Sequence, residues 1–518
     1  MLHDARPSRF VRGQSPYRLS SALIPVALLV IGLVPFDAAN AVQLRAGVAK
    51  ADITDRAAGP VNDPLYVKAL VVNDGATTLV IVTVDAVSLG EIGYISNDYL
   101  PTVRARIERE LGIPPSNVMI NASHCHGVVR SDVDELTFQA VSEAARNMVP
   151  VAAGAGTGRE DRIMENRRLK LKSGKELDIR RAYSFPPDEE VAEVGPVDPE
   201  IGLLRLDRED GRILAVVYNF AVHPIQGVPS LGNTADMIGF ASKVLEESLD
   251  EGTMALFLQG CAGDINPVFY KHADHVLDAE PLGNMLGLSA LRAVKEIRTR
   301  EAGPLKVLNE FLDLPRGDTA RRITELDAER TQLMQSLQGT SLSLKTFLPL
   351  AVKYKMWSEY PSYYSQGYLH EKMLKRDGLS KLDDVNRDAI KRYIHNIYTM
   401  EELTRINTNL ALLKKHQATF LAAAGKPLRV ELLGVRIGDF VLTTFPGELT
   451  VRIGMNIKSK SPHDLTFVAA YTNGYIYYAP TAEQLQNAGG AQEDSDTLLA
   501  PHWQKIYEDK AAEILSRL

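Results

Sequence analysis

A chain of 518 residues, 45% hydrophobic and 24% charged, has ordinary globular composition and enough apolar material for a large core. Its formal net charge of −7 at neutral pH, with no long acidic or basic block, argues against a nucleic-acid partner and against an interaction tail. Two cysteines, Cys125 and Cys261, exclude a disulfide-built scaffold; two buried thiols are the expected state, and a bridge between them is the alternative.

The first predicted element is a targeting segment. Arg6, Arg9, Arg12 and Arg18 precede an apolar stretch from Ala22 to Val34, and Ala39-Asn40-Ala41 then offers a small-x-small cleavage site. These features read as a secretory signal peptide over residues 1–41, giving a secreted or periplasmic chain that starts near Val42. The apolar stretch is shorter than the roughly twenty residues of a membrane span. An uncleaved N-terminal anchor is the competing reading.

From Leu44 to Gly90 the pattern is strand-rich. The β-branched runs Val67–Asn73 and Thr78–Asp85 are joined by Asp74-Gly75, a strong turn pair. Asp85 ends the second run, where it either reaches a site at the strand tip or satisfies a turn. Helical spacing over Tyr99–Leu111 stops at Gly112-Ile113-Pro114. Next comes Val118-Met119-Ile120-Asn121-Ala122-Ser123-His124-Cys125-His126, an apolar run ending in small polar residues and two histidines. It reads as a buried strand delivering imidazoles to its exit loop. Alternate side chains of a strand share a face, so His124 and His126 point into one site with Cys125 turned away. Imidazole binds metals and titrates near neutrality, so one histidine could hold a metal while the other moves protons. The plain alternative is a pair of solvated turn residues.

A helix is predicted over Asp134–Met148. Residues 150–200 read as polar and irregular, with Asn166-Arg167-Arg168 ahead of a hairpin turn at Ser173-Gly174. After a break at Gly195–Pro199, strands are predicted over Gly202–Asp207 and Ile213–Phe220, the second running into Ala221-Val222-His223-Pro224. Another, Met254–Gln259, ends in Gly260-Cys261-Ala262-Gly263-Asp264-Ile265-Asn266-Pro267, whose glycines would let backbone amides approach a ligand. From Thr319 to Ala424 the chain is rich in Glu, Lys, Leu and Gln at helical spacing. Its aromatic group Trp357, Tyr360, Tyr363, Tyr364 and Tyr368 suits a core or a substrate wall equally. Strands resume at Leu428–Ile437, Phe440–Phe445 and Leu465–Ala470, and a closing helix runs from Trp503 to Leu518. The fold class is therefore α/β: a mixed β-sheet core flanked by helices. One domain spans 42–318 and 425–518, around a helical insertion at 319–424.

Polar residues gather at the strand ends in a definite order. Ala51-Asp52-Ile53-Thr54, Asn121–His126, Asn166-Arg167, Asn219–Pro224, Gly260–Pro267, Phe445-Pro446-Gly447-Glu448-Leu449-Thr450 and Tyr471–Thr481 together resemble the neutral ceramidase family of zinc amidases. The resemblance runs from about Leu44 to the C-terminus. It implies one zinc ion per chain, held by His124, His223, Glu448 and Tyr478, with Tyr475 and Tyr477 as near neighbours of the last. Two imidazoles and oxygen donors suit zinc with a position left open for water. The resemblance also implies that His126 is the proton carrier, first base and then acid toward the leaving amine. Arg167 becomes the oxyanion or substrate binder and Arg168 a structural neighbour. Where the family has a serine, this chain has Asn266, which cannot be a nucleophile but can donate to a substrate carbonyl. Family tyrosines are replaced around Gln484-Leu485 and Ala491-Gln492-Glu493, positions that the resemblance places on the substrate pocket.

The implied activity is metal-dependent hydrolysis of an N-acyl or amide bond in a small molecule or lipid. Peripheral membrane contact stays open, and no protein or nucleic-acid partner is expected. A catalytically silent protein that binds metal or lipid in the same fold is one rival reading. A zinc esterase or phosphoesterase is another.

Overall fold

The computed structural model describes residues 43–179, 186, 188–268, 270, 275, 277–301, 303–356, 366–487 and 490–518. The expected signal peptide over 1–41 lies outside the described residues, as do Trp357, Tyr360, Tyr363 and Tyr364. An eight-stranded sheet forms the centre. Its spatial order is Met254–Gln259, Ile213–Phe220, Glu200–Arg208, Val149–Arg159, Arg45–Asp52, Tyr66–Asn73, Thr78–Val84 and Val118–Ala122. The inner pairs are antiparallel, while the outermost pair at each end is parallel. Both edge strands are buried along their whole length, as is Ile213–Phe220. That is why they appear in the sequence as unbroken apolar runs rather than alternating ones.

The sheet curls until its two edges touch. Thr83 donates its hydroxyl to the Phe257 carbonyl at 2.6 Å, and the Gln259 N–H donates to the Asn121 side chain at 2.9 Å. The Asn121 amide in turn donates to the Ala470 carbonyl at 2.6 Å and to the Thr472 hydroxyl at 2.9 Å. One buried asparagine thus ties three distant segments where the strands end.

The segment read as irregular holds the eleven-residue strand Val149–Arg159, in the middle of the sheet. Its sequence is mostly alanine and glycine, which carry little strand propensity. Packing explains the choice. A Cβ on Gly154 would sit 2.5 Å from the Arg298 carbonyl oxygen, and one on Gly156 would sit 2.8 Å from the Ile297 side chain. Short strands at Met164–Asn166, Arg168–Leu171, Glu176–Asp178 and Val191–Val194 occupy the rest of that region, with Ser173-Gly174 at the hairpin turn between the second and third. Two further helices that the periodicity did not mark, Asp236–Ser248 and Glu280–Glu296, pack against each other on one side of the sheet.

A second sheet runs Leu305–Leu314, Leu428–Ile437, Phe440–Thr444 and Thr466–Ala469. Its first two strands pair without a slip from Leu305↔Ile437 to Leu314↔Leu428, so the chain leaves at Leu314 and returns directly across the ladder. Four helices fill the described part of that excursion: Ala320–Ser336, Leu344–Met356, Gln366–Met373 and the 45-residue Gly378–Ala422. Tyr368, from the aromatic group above, donates to Asp383. Cys125 and Cys261 are buried, unbridged thiols. No helix among the described residues is long and apolar enough to cross a membrane.

Candidate metal centre

His124 leaves the strand Val118–Ala122 with φ of 69°, a left-handed conformation that costs a non-glycine residue of order 1–3 kcal/mol. The turn aims its ring inward, where Nδ1 donates to the Val87 carbonyl at 2.6 Å. His223, just past Ile213–Phe220, donates from Nδ1 to the Ile265 carbonyl at 2.9 Å. Each imidazole uses Nδ1 toward a backbone oxygen, so each turns its Nε2 lone pair toward the centre.

Both lone pairs face Glu448. Its Oε2 lies 3.1 Å from His223 Nε2 and 3.7 Å from His124 Nε2, and the ligand atoms of the three residues lie within 4.8 Å of one another. Glu448 starts a two-residue strand paired in parallel with Tyr478-Ala479. Tyr471 donates its hydroxyl to Glu448 Oε2 at 3.1 Å, and Tyr475 donates to Oε1. Burial alone would raise the carboxyl, but the positive charge that His124 and His223 carry when protonated, with the hydrogen bonds from His223 and Tyr475, outweighs that and holds it well below the usual carboxylate range. Burial pushes His124 down to about 4, which keeps its ring neutral at ordinary pH. Two neutral nitrogens and a carboxylate oxygen, all acceptors, pointing at one another in a buried space, form an arrangement that a cation completes.

The centre opens into a cavity of about 580 Å³. His126 stands on its wall, exposed, with its ring centroid 5.5 Å from that of His124. Desolvation in the pocket, and then the like charge of His124, hold His126 below its ordinary value. Arg167 lies on the cavity floor, fully buried. Its Nε donates to Glu493 at 2.6 Å, one Nη to the side-chain Oδ1 of Asn266 at 3.1 Å, and the other to the Gly263 backbone carbonyl. Two of its five N–H groups remain for the cavity. The Asn266 Nδ2 is buried with no protein acceptor. Tyr478 also lines the cavity, its ring 5.6 Å from the Arg167 guanidinium.

Asp85 takes the second of its two expected roles and does not reach this centre. It accepts the Tyr66 N–H at 2.9 Å and faces a separate hollow of about 350 Å³ with Lys68 and Thr83. The glycines after Gln259 are required by close chain packing: a Cβ on Gly260 would strike the Phe220 backbone at 2.8 Å, and one on Gly263 the Glu448 carbonyl at 2.6 Å. Gln484 borders another hollow, of about 390 Å³, and accepts from Thr481 and Thr450 there; Gln492 does line the main cavity.

Sequence reasoning missed the groups that orient the rest. Tyr471 and Tyr475 carry hydroxyls on Glu448. Glu493, fully buried, holds Arg167 and reaches Arg168 at 3.3 Å, while Asp494 and Glu176 hold Arg168 as well. A charge opposite two adjacent buried arginines is demanded by physics, but nothing local marks which acid supplies it. Leu412 and Lys415 of the long helix Gly378–Ala422 complete the wall, with Lys415 donating to Tyr477 at 3.0 Å.

No protein-family model matches the sequence, and no curated protein matches it. Comparison of the fold with solved structures does find relatives. A neutral ceramidase from Pseudomonas aeruginosa superposes with a TM-score of 0.57 over 92% of this chain and 75% of that one, at 18% identity. The fold is neutral ceramidase-like. A ceramidase complexed with C2 gives the same TM-score at 17% identity, covering 92% of this chain and 76% of the other. Within the ceramidase-like fold, this chain's metal-competent residues come from the strand ends of the curled sheet and from the short strand that follows Phe440–Thr444 of the second sheet.

Proposed function

We propose that this chain is a zinc-dependent amidohydrolase that cleaves an N-acyl or amide bond of a small-molecule or lipid substrate. The observation that carries the reading is the convergence of two imidazole nitrogens and a carboxylate beside a third imidazole in one cavity. The solved structures of similar fold, a neutral ceramidase and a ceramidase complexed with C2, support the choice of an amide as the electrophile.

His124, His223 and Glu448 would hold the ion, with Tyr478 as the fourth ligand. When bound, zinc supplies Lewis acidity and lowers the pKa of a water to about 7. The remaining work belongs to side chains of this protein. His126 takes the proton from the attacking water and returns it to the departing amine nitrogen, a role that needs a neutral ring at working pH. Arg167, clamped on three sides, offers its two remaining N–H groups to the oxygen on which charge develops. Asn266 donates from Nδ2 to the substrate carbonyl, which would satisfy an otherwise costly buried donor. Tyr471 and Tyr475 fix the rotamer of Glu448, as second partners of metal ligands do.

The test is metal analysis of purified protein, followed by turnover of N-acyl, ester and phosphoester panels with and without a chelator. The reading expects about one zinc per chain and chelator-sensitive release of amine. Protein free of metal, or turnover of esters or phosphoesters alone, would sink it.

A further inference from the structure

The helix Leu344–Met356 is apolar on two sides. Its inner side is anchored, with Phe347 buried and stacked on Tyr393 of the long helix at 4.1 Å between ring centroids. Its outer side carries Leu344, Leu348, Val352 and Met356, which are 58%, 52%, 57% and 83% exposed. Spacing of four residues places them along a single inclined ridge. A helix face of this kind at a protein surface marks a binding surface rather than a fold requirement. On the inner side, next to Tyr393, lies a groove of about 580 Å³ lined by Leu342, Ile397, Met400 and the acidic Glu401, and the next helix exposes Leu369 and Met373.

The charge around this face differs from that of the protein. Between Leu344 and Arg376 the sequence has six Lys or Arg against two Glu, in a chain whose net charge is −7. Lys345 and Lys355 are exposed, each adjacent in sequence to an end of the ridge, Leu344 and Met356. We propose that the outer face of Leu344–Met356 docks this protein onto an anionic lipid surface. The four apolar side chains enter the headgroup boundary, and the lysine stems bury along them while their ammonium groups reach lipid phosphates. The acidic remainder of the chain is repelled by the same surface, which sets the orientation. A second copy is a poorer occupant, because it would set two basic faces against each other. This inference does not rest on the chemistry of the metal centre.

Flotation of the full chain with vesicles tests it, using phosphatidylcholine alone and an equal mixture with phosphatidylglycerol. The wild type is expected to float with the anionic vesicles, far less with the neutral ones, and to be released by salt. L348E/V352E and K345E/K355E should each weaken the anionic partition about tenfold or more, with unchanged circular dichroism because the substituted residues are exposed. Equal binding to neutral and anionic vesicles would overturn the proposal, as would variants that float like the wild type. So would a stable dimer by light scattering that L348E/V352E breaks, since the face would then be covered by another copy.

Discussion

Glu448 touches two imidazoles and two phenols, while His126 stands nearby with no such ties, so substitutions at the two positions should separate holding an ion from using it. Glu448→Gln removes the charge that balances a cation and should lower bound metal well below stoichiometric by elemental analysis. His126→Ala should retain metal and lose about 10²–10⁴ in kcat, the usual worth of a positioned acid–base group. Equal metal loss in both variants would show that His126 is part of the coordination. Asp85 supplies a prediction of a different kind. Burial raises its carboxyl from 3.8 to about 6, so the folded state binds a proton that the unfolded chain releases across that interval. Stability contributed by Asp85 is therefore present at low pH and lost as pH rises through about 6. Asp85→Asn should stabilise the protein by about 1–2 kcal/mol at pH 7, and the gain should shrink toward pH 5, as urea unfolding at both values would show.

At the scale of elements, the loop holding Glu493 and Asp494 matters more than its length suggests. It neutralises Arg167 and Arg168, which sit side by side in the interior. Removing one partner of a buried ion pair leaves an uncompensated charge, which costs about 3–5 kcal/mol. Glu493→Gln should lose about that much in denaturant unfolding, and activity should fall with the loss of Arg167 placement. A wild-type midpoint with impaired turnover would instead assign Glu493 a role in orientation alone. The long helix Gly378–Ala422 adds Leu412 and Lys415 to the cavity wall, so an excursion that leaves and rejoins one hairpin ladder also shapes the site.

At the scale of the whole molecule, the candidate metal centre depends on a sheet whose edges meet. Asn121 holds Gln259, Ala470 and Thr472 together three residues before His124. Asn121→Ala takes the side-chain acceptor from the buried Gln259 N–H, at about 1–3 kcal/mol, while the Ala470 carbonyl keeps the Thr472 hydroxyl as donor. The expected result is a loss of about 1–3 kcal/mol by chemical unfolding, together with a lower metal content at limiting metal. Full metal occupancy in a destabilised N121A would show that the edges close without this residue.

Much of the plan was legible in one dimension. Unbroken apolar runs ending in His124 and His223 marked buried strands and the side chains they deliver, because burial on both faces leaves a local signature. The same locality explains what was missed. Val149–Arg159 is a strand of small residues because Ile297 and Arg298 lie against it, and no neighbour in sequence records that crowding. Which tyrosines reach Glu448, which acid balances Arg167, and that Asp85 turns to a different hollow were settled only when the sheet curled and distant loops met. Residue type and periodicity determined what chemistry the strand ends can offer. Closure of the sheet decided which of those groups share a site, since hydrogen bonds and desolvation act through distance in space and not along the chain.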